Sequence, residues 1–148
     1  MIKNKIPFLV AEISANHCGN INLAKKLIKC AKDNGADAAK LQTYTADTMT
    51  IQSNKKYFKI KNGLWKGYDL WNLYNEAHTP LEWNKKLFDY GKKLGITIFS
   101  TPFDETAVNL LRSYCKLTSF VDGCGKSFSM KYRFLTKSVS VVMTHGRL

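Results

Sequence analysis

Two apolar runs, residues 6–14 and 37–44, flank one amphipathic stretch, and this pattern constrains the fold more than any other feature of the chain. The first run is nearly continuous and has Pro7 at its start, as a strand buried on both faces would. A turn of Asn16, His17, Cys18, Gly19 and Asn20 follows it. Ile21, Ala24, Leu27, Ile28 and Ala31 then recur at helical spacing with lysines between them, and Gly35 marks the helix stop. Strand, helix and strand within about 38 residues form a βαβ unit. Such a unit requires parallel pairing and a right-handed crossover.

The pattern then repeats. Thr79, Pro80 and Glu82 predict a helix over 80–95, with a threonine cap, proline at the first position and a glutamate three residues after the cap. Trp83, Leu87, Tyr90, Gly91 and Leu94 trace its face, and Gly95 closes it. Residues 96–101 read as a third strand, after which Asp104 caps a helix carrying Ala107, Val108, Leu110 and Leu111. The order is that of an α/β protein. Between the second strand and the second helix lies a connection of about 34 residues, 45–78, too long for an idle linker. It holds Tyr57, Phe58, Trp65, Tyr68, Trp71 and Tyr74, with a short helical turn around Trp71–Ala77. Either it packs as an insertion with a satellite core, or it forms a lid over a ligand; the two readings are compatible.

Beyond Arg112 the character changes. Residues 113–121 and 138–144 are apolar enough for strands, while 122–131 are Gly, Ser and Lys with little period. Gly123, Gly125, Lys126 and Ser127 do not make a phosphate-binding loop, because Phe120 stands where the motif needs glycine.

Composition excludes several classes. No run of about 18 apolar residues exists to span a membrane. The first seven residues turn polar too soon for a signal peptide. Cys18, Cys30, Cys115 and Cys124 lack a C-x-x-C pairing, which favours reduced cytosolic thiols over disulfides or zinc. The net charge of +12 divides into +6 from residues 1–111 and +6 from 112–148. Much of the first share is lysine on helix faces, which favours solvated surfaces over nucleic-acid binding, and no RNA-reading module is present.

Chemistry concentrates where each strand hands over to polar groups: Glu12, Asn16 and His17; Lys40 and Gln42; Thr101 and Asp104. In a barrel of parallel strands, those ends converge on one mouth. Lys40 ends an otherwise apolar strand, where an unpaired charge is costly, so it binds an anion, reaches solvent or pairs with an acid such as Glu12. Asn16 and His17 are also explained by a turn that exploits asparagine's tolerance of left-handed geometry.

The stretches 11–17, 39–43 and 99–104 resemble the N-terminal half of the sialic-acid synthase family. Residues 44–50, 63–67 and 70–74 are most similar to its pseudaminic acid synthase branch, and the resemblance covers roughly residues 7–111. It implies a (β/α)8 barrel of the TIM type, of which this chain holds about three βα units, since a whole barrel takes about 200–250 residues. Residues 1–111 are then the opening portion of a synthase barrel, and 112–148 a divergent or frameshifted tail.

The family condenses phosphoenolpyruvate with an N-acylated amino sugar and releases phosphate. By resemblance, Lys40 and Thr101 bind phosphoenolpyruvate, Glu12 is catalytic, and Asn16, His17 and Gln42 lie near the sugar. Cys18 departs from the family's asparagine or glutamate. Lys116 and Ser119 have the spacing of a phosphate-binding pair but fall about four residues early. The family's Mn2+ or Mg2+ is expected to lack its ligands in this chain, and His145 is no convincing replacement. The resemblance further implies a cytoplasmic enzyme acting on small molecules, without nucleic-acid or membrane partners, and homodimeric at full length. The expected fragment is inactive alone. The alternative is a non-catalytic remnant or a small basic binding module.

Overall fold

The computed structural model describes residues 8–114, together with the backbone of strands 120–121, 127–128 and 139–142. Strands β1 (Phe8–Glu12), β2 (Ala38–Thr43) and β3 (Thr97–Pro102) are parallel neighbours in the order β3-β2-β1. Helix α1 (Ile21–Asp33) connects the first two strands. A long excursion containing α2 (Ala46–Met49), α3 (Leu70–Ala77) and α4 (Trp83–Leu94) connects β2 to β3, and α5 (Glu105–Arg112) follows. This is the α/β alternation expected, with three βα units.

The tail contributes β4 (Phe120–Val121), paired antiparallel with β5 (Ser127–Phe128), and β6 (Val139–Val142). Strand β6 runs parallel to β1, from Phe8 opposite Val139 to Ala11 opposite Val142, and so forms the edge opposite β3. A strand within 138–144 was legible in the sequence. Of the strand expected over 113–121, Ser113 and Tyr114 lie in the turn after α5, Phe120–Val121 form β4, and residues 115–119 lie outside the described residues.

The core lies between the sheet and its helices. Ile13, Ala39, Leu41 and Ile98 from the strand side pack on Ala24 and Ile28 of α1, Leu87 and Phe88 of α4, and Leu111 of α5. Burial of these apolar side chains supplies the main drive for docking the helices. Asn20 starts α1 by accepting from the backbone N–H groups of Asn22 and Leu23 at 2.8 and 3.2 Å. Asp104 starts α5 by accepting from Ala107 N–H at 2.9 Å.

Helices α1 and α4 end alike. Gly35 (φ +83°) and Gly95 (φ +67°) take the left-handed conformation, while Ala36 N–H reaches back to Ala31 O and Ile96 N–H to Gly91 O. These are Schellman closures, which favour glycine because it has no Cβ to clash.

The start of α4 differs from expectation. Trp83 N–H bonds to Pro80 O at 2.9 Å and Asn84 N–H to Leu81 O at 3.2 Å, so residues 80–82 form a tight turn of i→i+3 bonds. Regular helix begins at Trp83, and Glu82 caps it without a side-chain bond. The Thr79 hydroxyl is taken by His17 instead of the helix terminus.

The insertion 45–78 has structure of its own. Thr45 and Thr48 form a reciprocal cap on α2, and Trp71 Nε1 donates to Asp47 at 2.7 Å, tying α3 to α2. Ile60 and residues 67–68 exchange backbone bonds around the left-handed Gly63 and Gly67. Tyr44 packs edge-on against both Tyr74 and Phe103, which joins the insertion to the ends of β2 and β3. Its outer part stays open: Tyr57 is 78% exposed and Leu64 88%. The aromatics therefore do not all form a satellite core.

Candidate functional site

Alternation along the strands sorts the polar groups onto two faces. Register pairs Glu12 with Lys40, Lys40 with Phe99, and Gln42 with Thr101. Directly paired residues of parallel strands share a face, so Glu12, Lys40, Gln42, Phe99 and Thr101 lie together, opposite the helices. Thr101 sits one strand over from Lys40 and two residues further along.

Lys40 Nζ donates to Glu12 Oε2 at 2.7 Å, and Ser14 Oγ donates to Glu12 Oε1 at 2.9 Å. The pair is partly shielded, with side-chain exposures of 26% for Lys40 and 12% for Glu12. Both carboxylate oxygens are thus engaged. The ammonium has three donors, of which Glu12 takes one. A partly buried cation on a strand end, held by a carboxylate that can exchange it, suits an anionic ligand. Ser14 reaches Glu12 from a left-handed backbone (φ +43°), a conformation unfavourable for a residue with Cβ.

The helix-facing side of the same strand ends is sealed by a second network. Thr43 Oγ1 donates to Asn84 Oδ1 at 3.2 Å and pairs with Ser100 Oγ at 2.7 Å, while Asn84 Nδ2 donates to Leu81 O at 3.0 Å. All three side chains are buried. This network locks β2, β3 and α4 together directly behind the polar face.

His17 is fully buried. Its Nδ1 accepts from Gly19 N–H at 3.2 Å, which places the ring proton on Nε2, 3.0 Å from Thr79 Oγ1. The ring meets Trp83 edge-to-face at 5.6 Å. Burial, and secondarily the nearby His78, hold its pKa below the ordinary 6.5. Tyr44, buried at the end of β2, has its phenol pushed up to about 12, mainly by burial and further by Tyr74.

Of the residues singled out by sequence, Glu12 and Lys40 are bonded, and Gln42 and Thr101 share their face. Asn16 is half-buried in the loop after β1, and His17 turns both ring nitrogens to protein partners. Lys116, Ser119 and His145 lie outside the described residues. Sequence reasoning missed Ser14 and the trio Thr43, Asn84 and Ser100. Ser14 is two residues from Glu12, a signal that could have been read; the trio joins three separate elements and has no local signature. Among the described residues, no group of three or more His, Cys, Asp or Glu converges to hold a metal ion. An apolar trough between α1 and β1, lined by Leu9, Ala11, Leu27, Cys30 and Ala31, carries no charged side chain and lies away from Lys40.

Comparison with known proteins agrees with the βα fold. The NeuB family model matches residues 27–121, more than half of the chain. The chain is 46% identical over 111 residues to the pseudaminic acid synthase of Campylobacter jejuni, covering 75% of this chain and 32% of that protein. It is 48% identical over 107 residues to the pseudaminic acid synthase of Helicobacter pylori, covering 72% of this chain and 32% of that protein. Its fold is similar to the N-acetylneuraminic acid synthetase of Leptospira borgpetersenii, solved in complex with citrate, with a TM-score of 0.60 and 30% identity. That match covers 75% of this chain and 34% of the synthetase. The chain therefore spans about a third of the length of these relatives. A matching family model over more than half of the chain, high identity to the synthases and parallel βα units similar to theirs lead to one conclusion: this chain belongs to the NeuB family.

Proposed function

We propose that this chain carries the phosphoenolpyruvate half-site of a nonulosonic acid synthase, of the pseudaminic type, and that the 148 residues alone do not turn over. The observation that carries the reading is the Lys40–Glu12–Ser14 arrangement on the face that also holds Gln42 and Thr101. In the reaction, the terminal methylene carbon of phosphoenolpyruvate bonds to the aldehyde carbon of an N-acylated amino sugar, whose oxygen takes up a proton. Water adds at the adjacent, phosphate-bearing carbon with loss of a proton, and the tetrahedral intermediate expels inorganic phosphate as its new hydroxyl gives up a proton and becomes the ketone oxygen.

Lys40 and Thr101 bind the anionic ligand. As its oxygens arrive, Lys40 moves from Glu12 to the ligand, and the freed carboxylate can accept the proton that water gives up. Ser14 keeps that carboxylate oriented. Asn16 and Gln42 stand beside the sugar. His17 acts through the loop it holds, because both its ring nitrogens are engaged. The divalent metal of the family would polarise the aldehyde; the described residues, which bring no three His, Cys, Asp or Glu side chains together, do not fit it. Cytoplasmic location and homodimeric assembly of the full-length protein belong to the same reading.

The test is a phosphate-release assay with phosphoenolpyruvate, Mn2+ and the amino sugar. The 148-residue chain is expected to stay at background. Release at an enzymatic rate would overturn the claim that this portion does not suffice.

A further inference from the structure

Three loops meet at the strand ends, and their contacts are unequal. The ends of β2 and β3 are joined to the insertion by the rings of Tyr44, Tyr74 and Phe103. The loop after β1 meets the end of the insertion through His17 Nε2 and Thr79 Oγ1, 3.0 Å apart and 62 residues apart in sequence. That loop carries two non-glycine residues in left-handed backbone, Ser14 at φ +43° and Cys18 at φ +47°, so its shape needs to be held from outside. His17 lies between them, fully buried, with Gly19 N–H on one nitrogen, Thr79 on the other and Trp83 against its edge. Thr79 is the last residue before the turn that starts α4, and it immediately follows α3 and His78.

We propose that His17 is a positioning residue: its hydrogen bond to Thr79 latches the β1–α1 loop to the insertion, so that Ser14, and with it the Glu12 carboxylate, is placed only while the insertion is docked. The latch stands on geometry alone; its consequence for phosphoenolpyruvate rests on the function proposed above. It couples an element with exposed outer parts to the carboxylate that pairs with Lys40, at no cost in buried polar groups, since both ring nitrogens are satisfied.

Amide exchange on the ligand-free 148-residue chain tests the latch without reference to phosphoenolpyruvate. Thr79→Val removes the hydroxyl at nearly constant volume and Thr79→Ser keeps it. The valine variant is expected to speed exchange at residues 14–20 and 70–79 together by tenfold or more, with β2 still protected. The serine variant is expected to stay within about twofold of the parent. Unchanged exchange at 14–20 in Thr79→Val, or equal acceleration in both variants, would overturn the proposal. If the valine variant also loses protection in β2, the 15N shifts of the parent's His17 ring decide: protonation at Nε2 with Nδ1 accepting supports the latch, and the opposite tautomer contradicts it. Weak phosphoenolpyruvate binding with an intact latch would count against the ligand assignment alone.

Discussion

A lysine and a glutamate on neighbouring strands of an apolar sheet have few options, and of the anion, solvent or acid partner open to Lys40 the structure shows the acid, Glu12, at 2.7 Å. This pair was legible because strand-end charges need partners. The network behind it was not: Thr43, Ser100 and Asn84 come from β2, β3 and α4, and only the folded chain brings them together. Thr43→Val should therefore cost about 1–3 kcal/mol, because it strands polar atoms of Asn84 and Ser100 in a buried place. Chemical denaturation measures this; a variant within a few tenths of the parent would contradict the network's role. Two buried rings set the pH range of stability. His17 is held below 6.5 by burial and by His78, so its contribution is whole above 6.5 and lost as pH falls from there towards its folded value. Tyr44 is raised from 10.0 to about 12, so its contribution is whole below 10 and lost as pH rises from 10 to 12. The denaturation midpoint should fall on both sides of that window, and His17→Gln should remove the decline that begins just below 6.5. A variant with the same acid-side decline would assign it elsewhere.

Elements were read best where backbone rules act locally. Gly35 and Gly95 mark the ends of α1 and α4 because only a residue without Cβ closes those helices comfortably in left-handed geometry. The start of α4 was misread by three residues, since the same threonine–proline signal fits a tight turn and Thr79 has a tertiary partner in His17. The insertion was recognised by its length and aromatics, but its internal hairpin around Gly63 and Gly67 lacks a strong period. Gly91 shows how closely α4 lies on β3: an added Cβ would sit 2.1 Å from Ile98 Cγ1 and 2.8 Å from Cδ1. Gly91→Ala should then destabilise by about 1–3 kcal/mol through overpacking, despite alanine's better helix propensity. Pairing it with Ile98→Val should recover part of that loss. A stabilised single variant would mean that α4 packs further from the sheet.

Residues 8–114 form parallel βα units, and the chain spans about a third of the length of its NeuB-family relatives. Its family and α/β architecture were legible from three strand-end motifs, because each joins an apolar strand to a polar turn ahead of a helix. The pairing of β6 with β1 was not, since a short apolar strand carries no information about its neighbour. Among the described residues, the lysines are spread over helix faces and the insertion, apart from Lys40 on the inner strand face. Phosphoenolpyruvate titrated into the 148-residue chain and its Lys40→Met variant, followed by the amide resonances of residues 12–16, 40–43 and 99–103, tests the central claim most directly. The parent should give saturable shifts confined to those residues, and the variant at least tenfold weaker binding with its fold retained. No shifts in the parent, or equal affinity in both proteins, would contradict the assignment of this face as a phosphoenolpyruvate half-site.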